Sequence, residues 1–204
     1  AGPAGPQGPA GADGALSAWS RTGNAGTVAG TNFIGTTDNI PFVIKVNNQQ
    51  SGKIENSAAN TLFGYQSGIA NTSNSNSAFG YKSLTMNTSG YENCAFGKQA
   101  MEKNTTGYSN TAIGDAALAN NTIGANNIAI GESPMRLNTT GNFNIGIGYR
   151  AADGNISGEF NIGMGYQSLY LNNSGIQNVA IGYRAVYDNT TGQRNTGLGI
   201  YSLQ

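Results

Sequence analysis

Histidine is absent from this chain of 204 residues, and charge is scarce: lysine, arginine, aspartate and glutamate together make up 10% of it. Without histidine there is no Ser-His-Asp or Cys-His arrangement for nucleophilic catalysis. Ten basic and ten acidic residues cancel, so no net field draws the chain to nucleic acid or to an anionic membrane. A single cysteine, Cys94, excludes an intrachain disulfide and a cysteine-rich metal site. No apolar run is long enough to span a membrane as a helix. No signal-peptide pattern opens the sequence, and its start inside a Gly-Pro run reads as that of a fragment or a processed product.

What the chain has instead is glycine, 31 residues of 204, roughly twice the usual share. Many of these glycines close a phrase that occurs nine times: Asn60-Thr-Leu-Phe-Gly64, Asn76-Ser-Ala-Phe-Gly80, Asn93-Cys-Ala-Phe-Gly97, Asn110-Thr-Ala-Ile-Gly114, Asn127-Ile-Ala-Ile-Gly131, Asn144-Ile-Gly-Ile-Gly148, Asn161-Ile-Gly-Met-Gly165, Asn178-Val-Ala-Ile-Gly182 and Asn195-Thr-Gly-Leu-Gly199. The closing glycines lie 16 residues apart once and then 17 apart seven times. A fixed period of this length means a stacked repeat architecture.

Alternate side chains of a strand point to opposite faces. The residue before each glycine is always large and apolar (Phe63, Phe79, Phe96, Ile113, Ile130, Ile147, Met164, Ile181, Leu198), and is therefore expected in the core. The residue before that is Leu62 once and otherwise Ala or Gly. That face is expected against something close, either the opposite wall of a narrow coil or another chain. A second apolar beat, as in Ser83-Leu84, Ala100-Met101 and Ala117-Leu118, predicts a second, shorter strand. Corners such as Asn104-Thr-Thr-Gly107 and Asn138-Thr-Thr-Gly141 follow, with residues that accept positive φ. Glycine and asparagine recur too often for a helix of more than about one turn.

The predicted fold class is all-β: a trimeric parallel β-solenoid or β-roll of about nine rungs of 17 residues, preceded by a short collagen-like triple helix. Rungs stack about 4.8 Å apart, so nine make a rod on the order of 40 Å long. Stacking predicts a hydrogen-bonded ladder of Asn60, Asn76, Asn93, Asn110, Asn127, Asn144, Asn161, Asn178 and Asn195.

Three segments are expected. Residues 1–14 carry glycine at every third position, with Pro3, Pro6 and Pro9, the pattern of a collagen stalk end, with a flexible Gly/Pro linker as the alternative reading. A collagen helix needs three chains, because only glycine fits at its axis. Five triplets do not hold together alone, so either more collagen lies upstream or the downstream region supplies the trimer. Residues 15–50 read as a β-rich neck, with Trp19 packed at the axis and Pro41-Phe-Val-Ile-Lys-Val46 as its best strand, stopped by Asn47-Asn48. Residues 51–204 are the solenoid, with 51–59 a polar lead-in.

No cofactor, metal or catalytic group is assigned, and the chain is read as a non-enzyme. Asp115 and Glu132 share one column, just after the glycine, but Lys98 and Tyr149 occupy it in neighbouring rungs. It therefore reads as a variable, solvent-facing column rather than a carboxylate pair. Tyr65, Tyr81, Tyr149, Tyr166 and Tyr183 fill the same column elsewhere. They are the candidate surface binding column for a sugar or protein, or else packing between chains. Cys94 is a small filler. The Asn-Thr-Thr corners spell N-glycosylation sequons, which the corner chemistry already explains.

These residues resemble two families. Asn178-Val-Ala-Ile-Gly182 and its relatives are similar to the head repeats of trimeric autotransporter adhesins, which build intertwined trimeric β-rolls from repeats nearer 14 residues. Trp19, Thr22-Gly-Asn-Ala-Gly26, Gly30-Thr-Asn-Phe-Ile-Gly-Thr-Thr-Asp38, Lys45-Val-Asn47, Phe63-Gly-Tyr-Gln66 and the Asn-Thr-Thr-Gly corners look like the stalk of phage-type tail-fibre proteins. That resemblance covers 19–204. It implies a homotrimer, trimerised by a self-cleaving endosialidase-type chaperone that commonly follows the stalk. It also implies an extracellular place on a phage tail or contractile injection system, a baseplate or other fibre protein at the N-terminal side, and a cell-surface glycan or protein as receptor. A bacterial surface adhesin or filament, and a polysaccharide-degrading tailspike, are the alternatives.

Overall fold

A computed structural model of the chain describes Val28 and residues 33–203. The chain divides into two compact units, 1–38 and 39–204. The collagen-like run at 1–14 and Trp19 lie outside the described residues. The repeats lie in the second unit.

It contains eleven strands and, among the described residues, no helix. Strand β1 (Phe42–Val46) and β2 (Gln49–Glu55) form a hairpin; β3 (Asn60–Phe63) begins the repeats. There follow β4 (Ser77–Phe79), β5 (Cys94–Phe96), β6 (Thr111–Ile113), β7 (Ile128–Ile130), β8 (Ile145–Ile147), β9 (Ile162–Met164), β10 (Val179–Ile181) and β11 (Thr196–Leu198). They make one sheet in strict sequence order. Strands β3 to β11 are parallel, and each residue pairs with its counterpart one repeat on, as Ile128 does with Ile145. This is a parallel β-solenoid with one strand per rung.

The hairpin keeps that order but pairs antiparallel. Asn47 and Asn48 both have positive φ (48° and 58°), the geometry of the two-residue turn that matches strand twist. β2 then pairs antiparallel with β3, Ile54 opposite Thr61. It covers the edge that a bare first rung would leave open. Residues 51–59 were expected as a polar lead-in, and most of β2 lies there. Gln-Gln-Ser-Gly-Lys has weak strand preference, and neighbours on both sides supply its ladder. Glu55 accepts a hydrogen bond from Asn60 Nδ2 at 3.1 Å, standing in for the asparagine that a preceding rung would offer. That bond first, and then Lys53 at 2.9 Å, hold the Glu55 carboxyl below the ordinary carboxylate range.

The large residue before each glycine is not in the core as expected, while the small residue beside it meets the opposite wall of the coil, one of the two places expected for it. Ala78, Ala95, Ala112, Ala129 and Ala180 are fully buried. The large residue beside each faces outward: Ile113 is 40% exposed and Ile181 42%. Period-two alternation separates two faces but does not say which is inside. The lumen decides it. Leu84, Met101, Leu118, Met135, Leu169 and Val186 enter it from the opposite wall and are themselves buried. A Cβ built on Gly146 would sit 2.8 Å from Met135 Cγ, so this coil has no room for large residues on both walls. The small face is thus coil interior.

That opposite wall is not a second strand, as the sequence pattern predicted. It is a run of consecutive turns. Lys82 and Leu84 both have positive φ, and the same two positions repeat in every rung, including β-branched Val186 at 50°. Backbone bonds still join the rungs: Lys82 N–H donates to Tyr65 O at 2.9 Å, and Leu84 N–H to Ala100 O at 3.0 Å.

Corner chemistry also differs. Neither Asn104 nor Gly107 has positive φ. Gly107 is glycine because a Cβ there would collide with Asn104 Oδ1 and the Gly124 carbonyl. The strand-closing glycines do need their freedom, with φ from 107° at Gly199 to 142° at Gly97.

Candidate functional site: ladders inside, columns outside

Two asparagine ladders run through the solenoid. In the first, Asn127 Nδ2 donates to Asn110 Oδ1 (3.1 Å) and to Gly141 O (2.8 Å), while its backbone N–H also donates to Asn110 Oδ1 (3.0 Å). The same bonds recur at Asn144, Asn161 and Asn178. The second ladder is built from the corner asparagines. Asn104 Nδ2 donates to Asn87 Oδ1 at 2.7 Å and to its own corner's Gly107 O at 2.9 Å. Asn121, Asn138, Asn155, Asn172 and Asn189 continue it. Sequence reasoning missed this second ladder because it assigned those asparagines to backbone conformation. The available signal was their strict 17-residue spacing. No buried side-chain nitrogen or oxygen among the described residues lacks a partner, so the ladders have no capacity left for a ligand. They also close most of the sequons: the amides of Asn87, Asn104, Asn138, Asn155 and Asn172 are buried.

The outward columns are where recognition chemistry is possible. Tyr65, Tyr81, Tyr149, Tyr166 and Tyr183 are all exposed, in two separate stacks. Tyr65 lies on Tyr81, with ring centroids 5.5 Å apart. Tyr149, Tyr166 and Tyr183 stack at 5.0 and 5.1 Å with their rings nearly parallel. Lys98, Asp115 and Glu132 separate the stacks along the column, and Lys98 reaches Asp115 at 3.6 Å. The stacking decides what the tyrosines offer. Ring faces are occupied by the tyrosine above or below, so edges and hydroxyls point outward. A sugar laid flat on a ring face is confined to the ends of a stack. The sides present a row of hydroxyl groups, one per rung.

Beside the second stack sits a group that sequence reasoning did not single out. Asp153, 2% exposed, accepts from Arg136 Nε at 3.2 Å and from Arg150 Nη2 at 2.9 Å. The Arg150 guanidinium lies 5.0 Å from the Tyr170 ring, and Arg184 lies 5.1 Å from Tyr187. Tyr170 and Tyr187 stack on each other at 5.0 Å. Arg150, held by Asp153, and Arg184, whose Nε donates to Gln167 Oε1 at 2.9 Å, thus lie against the rings of Tyr170 and Tyr187 on consecutive rungs. The members of this group were recognisable only once the column register was known.

Asp115 and Glu132 are both exposed, with nothing enclosing them. No cluster of metal-ligating side chains occurs among the described residues. Cys94 faces outward on β5 as a free, half-buried thiol, and burial pushes its pKa up.

The outer face of the sheet is a further surface feature. Each of β3 to β11 presents two side chains there. One column runs Thr61, Ser77, Cys94, Thr111, Ile128, Ile145, Ile162, Val179, Thr196; the other is the row of large apolar residues from Phe63 to Leu198. Neither contains a charge. No protein family, curated protein or solved structure matches this chain.

Proposed function

We propose that the chain is a structural fibre and receptor-binding element: a rigid homotrimeric rod, outside the cell, that mediates attachment to a host or target surface as part of a phage tail or contractile injection system. The observation that carries this reading is the pair of buried asparagine ladders, which tie each rung to the next. A coil bonded this way has no hinge between its rungs, and stiffness is what a projecting element needs. The collagen-like sequence at 1–14 supplies the reason for three chains. The glycan or protein receptor would meet the exposed tyrosine columns, and three copies would present identical columns for multivalent binding.

The test joins mass and adhesion. Native mass spectrometry of the purified chain should give three copies. The fluorescently labelled rod should decorate target cells. Tyr149→Ser/Tyr166→Ser/Tyr183→Ser should lower that decoration about tenfold or more without changing the mass. A monomer, or decoration indifferent to every outward tyrosine, would overturn the reading. Release of reducing sugar from a capsule would replace it with a tailspike hydrolase.

A further inference from the structure

We infer that the outer face of the parallel sheet, β3 to β11, is the surface on which copies of this chain pack against one another, three around a common axis. This rests on the trimeric reading above and says where the trimer is made.

The face is apolar at a scale that water does not favour. From β7 to β10 both outward positions are apolar: Ile128 with Ile130, Ile145 with Ile147, Ile162 with Met164, Val179 with Ile181. Toward β3 one column becomes Thr, Ser and Cys while the other becomes a stack of Phe63, Phe79 and Phe96, with centroids 5.5 and 4.7 Å apart. A continuous apolar face, half-buried to exposed, without a charge through nine rungs marks an interaction site. It is not there to fill the solenoid, whose interior is already packed by the alanine column and its opposite wall.

Two observations identify the occupant as a second copy. First, the pattern is periodic through nine rungs, so a partner must offer apolar groups at the same rise. An identical chain, packed in parallel, has that rise and that composition. Second, the collagen-like run at 1–14 has meaning only with three parallel chains. Where the downstream region holds those three chains together, it needs a self-complementary surface that runs along the coil. The tyrosine column fails this demand, because Lys98, Asp115 and Glu132 interrupt it. The sheet face has no such interruption. Two outward residues on each of nine strands approach the residue count of a standard interface, about 20 to 30 a side.

The native cysteine makes this testable, since Cys94 lies in one of the two face columns. Purified full chain is treated with a short bismaleimide under native conditions. It is compared with Cys94→Ser carrying Ile147→Cys on the same face, and with Cys94→Ser carrying Thr106→Cys on an exposed corner. Native mass is measured in parallel. The expected result is a trimer in which the native chain and the Ile147→Cys variant form covalent pairs at least tenfold more than the Thr106→Cys variant. A trimer that crosslinks through Thr106→Cys but not through the sheet face would overturn the inference and leave the trimeric reading intact. A monomer at every concentration would overturn both, and would leave the face to a partner of another kind. As an independent arm, Ile130→Asp/Ile147→Asp should give a monomer with the native β-type circular dichroism. An unchanged trimer in that variant would overturn the inference even if crosslinks form.

Discussion

Ala129 and Ile130 are neighbours on one strand and have opposite environments. Ala129 is fully buried in the lumen; Ile130 stands on the outer face of the sheet. The larger and more apolar residue is the one outside. In an ordinary half-buried strand the reverse holds. The core of this molecule is set by the bore of the coil. Inside, volume is limiting and hydrogen bonds are fully paired, so small residues and laddered amides are required. Outside, volume is free, and a large apolar residue repeated in nine rungs needs another reason.

That contrast can be broken from the inside first. Asn127→Leu removes two side-chain donations and leaves the Asn144 backbone N–H without its acceptor at 3.0 Å. Each unpaired buried group costs about 1–3 kcal/mol. Urea unfolding should therefore show the largest loss of any single change, about 3 kcal/mol or more. Ala129→Leu overfills the lumen and should cost about 1–3 kcal/mol by the same measurement. Ile130→Ser, one residue away, should cost less than about 1 kcal/mol in the unassembled chain. Its effect should appear in sedimentation, as a shift away from the trimer.

The smallest effect concerns the hairpin that caps the ladder. Asn60 and Lys53 hold Glu55 below the ordinary carboxylate range in the folded state. Its stabilising contribution is thus present above the unfolded pKa, about 4.3, and fades as pH falls through the lower folded value. Thermal midpoints of the native chain should fall between about pH 5 and pH 3 more steeply than those of Glu55→Gln. Identical profiles would remove Glu55 from the cap.

The rung period, the strand positions and the all-β class were legible in the sequence, because a 17-residue repeat with glycine at a fixed place leaves few other ways to stack. The inside of the strand was not legible. Alternation at Asn178-Val-Ala-Ile-Gly182 distinguishes two faces and is silent on the bore, which depends on Leu84, Met101 and their column crossing from the other wall. The second strand was misread for a related reason: Ser83-Leu84 looks like a strand edge, yet Leu84 has a φ of 52°, a conformation held by neighbouring rungs rather than by local preference. Strand β2 was missed because pairing, not composition, makes it. On the outside, the tyrosine column was visible as a list of residues. Its division into two ring stacks, and the Arg136–Asp153–Arg150 group beside them, required three-dimensional register.

The most direct test places one cysteine on each side of the same strand, in a Cys94→Ser background. In the native protein Ile130→Cys should react, either with a maleimide or through a bismaleimide into an interchain pair, while Ala129→Cys should react only after denaturation. Native reaction at Ala129→Cys, with Ile130→Cys inert to both reagents until unfolded, would contradict the account.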